Sequence, residues 1–271
     1  GSSNLGAVAG TNSSACIGGL IGSTAKKVRM QECSNTGEVR YGSYIGGLIG
    51  SASGTVELHG CSNTGMIAGF ASYSRNAAGL IGETVTDARF QNCSNAGEVI
   101  NGMRSGGLVG YAADTVEMRS CSNAGRIAPY KNAYADSAAG LIAEAAKNVV
   151  IEECTNTGDI VGHSGAGGMI EECKGTASIT DCTNTGDISC SISVGSTGGI
   201  AGYLSNMELR NCRNEGTISA PDRAAGIVGN GSGTIFGCSN YGNVYGENNS
   251  YYGYKAAGIL ANTGGTTVVD G

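Results

Sequence analysis

The sequence predicts an all-β fold, a right-handed parallel β-helix (solenoid) of about nine coils of ~30 residues. Three observations carry this expectation. A Gly-Leu-Ile-Gly phrase at Gly19, Leu20, Ile21 and Gly22 returns, with hydrophobic variants, at Gly47, Gly79, Gly107, Gly140, Gly168, Gly199, Gly226 and Gly258. A second phrase, Cys-x-Asn-x-Gly-x-Val/Ile, alternates with it on Cys33, Cys61, Cys93, Cys121, Cys154, Cys182, Cys212 and Cys238. A degenerate copy opens the chain at Ser2, Asn4, Gly6 and Val8. The composition agrees: 48 Gly against two Pro, no Trp and 14% charged residues suit short strands and tight turns. No amphipathic helical stretch competes with the strand pattern.

Each element follows from alignment on the Cys. Three residues before it stand Met30, Leu58, Phe90, Met118, Ile151, Ile179, Leu209 and Ile235. Five before it stand Val28, Val56, Ala88, Val116, Val149, Ala177, Met207 and Gly233. Six after it stand Val39, Ile67, Val99, Ile127, Ile160, Ile188, Ile218 and Val244. A spacing of two puts side chains on one face of a strand, so these point inward. Polar neighbours such as Glu57, His59, Glu117 and Arg119 face water. Three short strands per coil are expected: the Gly-Leu strand, the strand leading to Cys, and the strand after Asn-x-Gly. The Asn-x-Gly corner is expected to use the left-handed conformations that Asn and Gly tolerate, with equivalent Asn side chains stacking between coils. The crossover rule makes the winding right-handed. At ~4.8 Å per coil the rod is roughly 43 Å long. Residues 1–271 form a single β-helix repeat domain, expected to be a fragment of a larger surface protein because neither end carries a capping helix over its open edge.

The net charge of −6 gives no basic footprint, which argues against nucleic acid. No apolar run approaches the ~18–20 residues that span a bilayer, so no membrane insertion is expected. Of eleven Cys, eight recur once per coil, which is a packing pattern of small buried thiols. Neighbouring rungs suit disulfide geometry poorly, so the ladder is expected to be reduced. Cys16, Cys173 and Cys190 fall outside it and read as loop filler. No Cys-x-x-Cys pair occurs and His59 and His163 lie far apart, so no metal site and no cofactor are expected.

Catalysis would need stacked ionisable groups. Glu153 with Asp181, and Asp159 with Asp187, occupy equivalent positions in adjacent coils, ~5 Å apart. Such spacing suits a raised carboxyl pKa or a Ca²⁺ ion, and Glu152, Glu171 and Glu172 add negative charge nearby. No Arg or Lys stands beside the pairs, and no nucleophile elbow, phosphate loop or zinc-protease motif appears. The chain is therefore expected not to be an enzyme, and no catalytic residue is assigned.

Gly-Leu-hydrophobic-Gly followed by Cys-x-Asn-x-Gly resembles the GLUG repeat, most closely at Gly47 to Gly50, Gly79 to Gly82 and Gly107 to Gly110. The resemblance covers essentially the whole chain. GLUG repeats occur in bacterial surface and adhesin-like proteins and beside the peptidase domain of IgA1-specific metallopeptidases. It implies a bacterial, extracellular or cell-wall-attached setting and no activity. Ala143, Glu171 and Ala261 replace the last Gly, which implies looser corners there.

Loop lengths alternate from coil to coil, so every second coil carries a long loop and the long loops form a comb along one edge. Seven of the twelve Tyr are assigned to the comb: Tyr73, Tyr130, Tyr134, Tyr245, Tyr251, Tyr252 and Tyr254. Tyr combines a flat apolar face with a hydroxyl, so these are the candidate ligand-binding residues. The competing explanation is that the loops pack on one another to cover a sheet edge. The expected function is a non-catalytic bacterial cell-surface repeat module, an adhesive or spacer rod. Its expected partners are extracellular glycan or host protein, and other domains of its own full-length chain. The alternative is a polysaccharide-acting β-helix lyase or hydrolase. Ice binding is set aside, because Thr155, Thr157, Thr183 and Thr185 supply only two rungs.

Overall fold

The computed structural model describes residues 1–11, 15–70, 74–130, 136–192, 195–246 and 255–271. The described chain is entirely β and winds through nine coils, each strand pairing in parallel with its equivalents above and below. Register is one-to-one from coil to coil. Val28, Val56, Ala88, Val116, Val149, Ala177 and Met207 stack in a single column.

Four sheets run along the rod. An asparagine sheet is built of nine Ser-Asn-type pairs, Ser3–Asn4 through Ser239–Asn240. A valine sheet of nine strands follows the Asn-x-Gly turn, Val8–Ala9 through Val244–Gly246. A triplet sheet of nine strands precedes Gly-Leu, Cys16–Gly18 through Lys255–Ala257. The fourth, wide sheet has fifteen strands and holds both the Gly-Leu strand and the strand leading to Cys. In later coils those two fuse, as in Ile170–Thr180, Ala201–Arg210 and Val228–Phe236. The three strands expected from the sequence are thus present, and two more segments, the Ser-Asn pair and the triplet, are also bonded between coils.

The apolar residues divide into two columns. The larger holds the wide-sheet residues, the Cys ladder and the Leu of each Gly-Leu phrase, including Leu48, Leu80, Leu108 and Leu141. The smaller lies between the valine and triplet sheets and holds Val39, Ile45, Ile67, Ala77, Val99, Ile127 and their equivalents. The two sequence phrases meet between the columns. In the eight Gly-Leu phrases from Gly19 to Gly226 the first Gly lies against the Asn side chain: a Cβ at Gly79 would sit 2.4 Å from Asn95 Oδ1, and one at Gly47 2.6 Å from Asn63 Oδ1. From Gly19 to Gly226 that contact forms a waist across each coil, which explains why both phrases recur together.

The buried Asn residues form a continuous hydrogen-bond ladder. Asn95 Nδ2 donates to Asn123 Oδ1 at 2.8 Å, Asn123 Nδ2 to Asn156 Oδ1 at 2.8 Å, and Asn156 Nδ2 to Asn184 Oδ1 at 2.7 Å. Each Nδ2 also donates to the carbonyl of the Gly two residues on, 2.8 Å for Asn123 to Gly125. The stacking expectation holds, but the stated conformational reason does not. Positive φ is absent from the Asn-x-Gly residues and falls instead on the residue just before the Cys. Glu32, Gly60, Asn92, Ser120, Glu153, Asp181, Asn211 and Gly237 all lie between φ 51 and 61°. Asn is kept for its carboxamide. The Gly after it is kept for space, since a Cβ on Gly65 would lie 2.0 Å from the Gly37 carbonyl oxygen.

The left-handed position gives a clean prediction. A Cβ on Gly60 would meet nothing closer than Glu32 Cγ at 3.4 Å, so only backbone strain opposes a side chain there. Gly60→Ala should cost about 1–2 kcal/mol, and Gly60→Asn clearly less, since Asn92 and Asn211 hold the same conformation. Urea unfolding of the two variants checks the ranking.

All eleven cysteines are free thiols. In the ladder, Cys121 Sγ donates to the Arg119 carbonyl at 3.3 Å and the Cys121 amide donates to Cys154 Sγ at 3.3 Å. The three outlying cysteines are not loop filler. Cys16 opens a triplet strand, Cys173 is fully buried in the larger column, and Cys190 packs against the smaller one. Burial pushes the Cys173 thiol up to about 11.

Candidate functional site

The chain leaves the smaller column through the triplet, turns at Gly-Gly and enters the larger column. Side chains on the outer faces of the two sheets flanking this turn therefore form two facing rows. On the triplet sheet the row runs Tyr44, Asn76, Arg104, Ser137 and Gly165, then Ser196, Arg223 and Lys255. On the wide sheet it runs Ser51, Glu83, Tyr111, Glu144, Glu172, Tyr203, Asn230 and Asn262. Over the middle and later coils the rows enclose a polar cleft of about 430 Å³.

One half of the cleft is ion-paired. Glu144 is buried and bonded to both Arg104 and Lys174, the latter at 2.6 Å. Burial pushes its carboxyl up, but the two cations outweigh that and hold it below the usual carboxylate range. The Arg104 guanidinium lies over the Tyr111 ring, 4.8 Å from its centroid, and reaches Asn76 Oδ1 at 3.4 Å. Lys174 also approaches Glu172 at 3.7 Å, whose carboxyl burial pushes up.

Glu171 forms the floor. It stands where Gly50, Gly82 and Gly110 stand in other coils, and those glycines are in strands rather than at corners. At Gly50 and Gly82 a Cβ would lie 2.6 Å from a triplet-strand amide. The Glu171 side chain fits because its facing residue is Gly165, where a Cβ would lie 2.2 Å from Glu171 Oε1. The expected looser corner is therefore a matched exchange of Glu for Gly across the two sheets. Glu171 Oε2 is buried with no hydrogen-bond partner among the described residues. Burial pushes the carboxyl up to about 8; Ser137 and Lys174 oppose this, and Glu172 and Glu144 reinforce it. At neutral pH Glu171 is mostly a neutral acid.

The other half of the cleft is less committed. Arg223 Nη1 donates to Ser196 Oγ at 3.4 Å and Nε lies 3.8 Å from Asp222. Half-buried Tyr203 and Asn230 face it across the cleft.

Of the residues expected to bind ligand, only Tyr130 and Tyr245 are among the described residues. Tyr73, Tyr134, Tyr251, Tyr252 and Tyr254 lie outside the described residues. Tyr130 is half-buried and its amide bonds the Gly102 carbonyl at 3.2 Å. Tyr245 belongs to the strand Val244–Gly246 rather than to a loop, and is exposed. The alternation itself is visible where strands bound the loops. The valine-to-triplet connection is long between Ala68 and Asn76 and between Ala128 and Ser137, and short between Arg40 and Tyr44 and between Ile100 and Arg104.

The stacked carboxylates have structural work. Asp159 Oδ1 accepts the Asp187 amide at 3.1 Å, and Asp187 Oδ1 accepts the Thr217 amide at 2.8 Å. Glu153 accepts from Ser120 Oγ at 3.0 Å and Asp181 from Asn211 Nδ2 at 3.1 Å. A second trough, on the outer face of the wide sheet, is lined by alternating charges. There Glu57 pairs with Lys27 and Arg29, Arg89 with Glu117, and Arg119 with Glu152, as expected of cross-strand neighbours on a solvated face. Among the described residues no group of three or more His, Cys, Asp or Glu converges to hold a metal ion.

Sequence reasoning missed Glu144, Arg104, Tyr111, Tyr203 and Arg223. The signal was present. Aligning the repeats on Gly-Leu and reading the outward positions on either side puts Tyr111 and Tyr203 in one row with Glu172, and Arg104 and Arg223 in the row facing it. Comparison with protein-family models, curated proteins and solved structures finds no match to this chain.

Proposed function

We propose that this chain is a non-catalytic, GLUG-type repeat module of a bacterial extracellular or cell-wall-attached protein, an adhesive rod that binds an extended glycan along the cleft between its triplet and wide sheets. The observation that supports it most is the pair of facing rows. Tyr203 offers a ring face, and Arg, Ser, Asn and Glu side chains at one-coil spacing offer hydroxyl partners. Oligosaccharides are recognised by that combination of flat apolar faces and polar groups in fixed positions.

A glycan array read with the whole chain tests this. The expected result is capture of a defined set of glycans that is lost in Tyr203→Ala while thermal stability is retained. Capture of nothing on the array, or capture unaffected by Tyr203→Ala, contradicts it.

One observation favours the alternative, a polysaccharide-acting enzyme. Glu171 holds its proton to about 8 and stands beside Glu172, whose carboxyl burial also pushes up, and glycosidases work through such paired carboxyl groups. Release of reducing ends or unsaturated products from a captured polysaccharide, abolished by Glu171→Gln, would establish that function over simple binding.

A further inference from the structure

We infer that the later half of the cleft is a subsite for a carboxylated sugar, with Arg223 clamping the sugar carboxylate and Tyr203 packing against the ring. This rests on the glycan-binding function proposed above and names its ligand class. Arg104 and Lys174 are both spent on Glu144, so neither is available to a ligand. Arg223 differs. Its contacts are one long hydrogen bond to Ser196 at 3.4 Å and one long ion pair to Asp222 at 3.8 Å. Most of its five donors are therefore uncommitted, in a fork whose geometry matches a carboxylate in bidentate fashion. Its side chain is 30% exposed, so it reaches the cleft while much of its stem is held.

The surroundings select a sugar acid over a small anion. Tyr203 presents a half-buried ring one coil before Arg223, and Ser196 and Asn230 line the same stretch with hydroxyl and amide groups. A bare anion would use the guanidinium and leave those groups idle. The floor matters for the sign of the local field. The groups facing Glu171 are Ser137, Gly165, Cys190, Glu144, Glu172 and Lys174. While Glu171 keeps its proton, the cleft contains one fewer negative charge to repel the sugar carboxylate.

Titration calorimetry of the whole chain with a short oligogalacturonate, and with the same oligomer fully methyl-esterified, tests the inference. The acid form should bind at least about tenfold more tightly than the ester. Arg223→Gln should bring the acid down to the affinity of the ester and leave the ester unchanged. Arg223→Lys, which keeps the charge and loses the fork, should fall between the two. Affinity for the acid should weaken as pH rises from 6 to 9 in the wild type and stay level in Glu171→Gln. Equal affinity for acid and ester, or an acid preference that survives Arg223→Gln, overturns the carboxylate clamp while leaving glycan binding standing. Failure to bind either oligomer also overturns it, and if the glycan array is silent as well, the glycan-binding function falls with it. Arg223→Lys with unchanged melting shows that any loss is local rather than a failure to fold.

Discussion

Asn123→Ala should destabilise the protein by about 3–5 kcal/mol, a large share of the stability of an ordinary domain. Asn123 is fully buried and its side chain takes part in three hydrogen bonds: one from Asn95 Nδ2, one to Asn156 Oδ1 and one to the Gly125 carbonyl, each at 2.8 Å. Truncation removes all three. It strands the Gly125 carbonyl and the Asn156 acceptor in the waist, where leaving a buried polar group unpaired costs about 1–3 kcal/mol, and a small cavity adds to the loss. Asn123→Asp has nearly the same shape and should still be severe. Its carboxylate can accept from Asn95, but it then faces the Gly125 oxygen and Asn156 Oδ1, which are acceptors too. The Asp variant should therefore recover stability as pH falls and the carboxyl gains the proton it needs to donate. Urea unfolding of the three proteins at neutral and acid pH provides the comparison.

Glu171→Gln should stabilise the protein at alkaline pH by about 3–5 kcal/mol relative to the wild type and change little near pH 5. In the unfolded chain the Glu171 carboxyl ionises near an ordinary ~4.3, whereas in the fold it keeps its proton to about 8. Between those values the unfolded state binds fewer protons, so wild-type stability falls as pH rises through that window. The loss is complete once the pH exceeds the folded value, and at ~1.4 kcal/mol per unit it reaches the size stated. Gln carries no titrating proton and removes this slope. Unfolding free energy of both proteins across the window gives the difference directly, and parallel curves would show that Glu171 ionises normally. If Glu171→Gln also abolishes glycan capture, the acid contributes to the cleft as well as to stability.

The fold was legible because its two governing patterns are local. Apolar residues at a spacing of two before each Cys, and a period that never breaks, leave little alternative to stacked coils. The Asn ladder was legible for the same reason, as a buried amide repeated at one register position. Its cause was not. The left-handed turn lies one residue before the Cys, at positions filled by Glu32, Ser120 and Glu153 as readily as by Gly60. A turn imposed by the surrounding register leaves only a weak mark on residue choice. The Ser-Asn and triplet segments were missed because two or three residues carry no periodicity of their own.

The cleft was less legible still. Glu171 stood out as charge in a Gly position with Glu172 beside it, but their neighbours come from other coils and from the other side of a Gly-Gly turn. The match of Glu171 with Gly165 shows the principle: each residue looks like a departure from the repeat when taken alone, and they make sense only as a pair facing across the two sheets. The tyrosine comb drew attention through composition. The tyrosine that lines the cleft, Tyr203, sits singly in a strand and belongs to no cluster in the sequence.

The central claim is that a buried Asn ladder joins the two repeat phrases at the waist of successive coils, and side-chain amide hydrogen exchange followed by NMR tests it most directly. The carboxamide protons of Asn63, Asn95, Asn123, Asn156 and Asn184 should exchange as slowly as core backbone amides, while those of exposed Asn206 and Asn211 exchange freely. Fast exchange of the ladder carboxamides in the folded protein would contradict the claim.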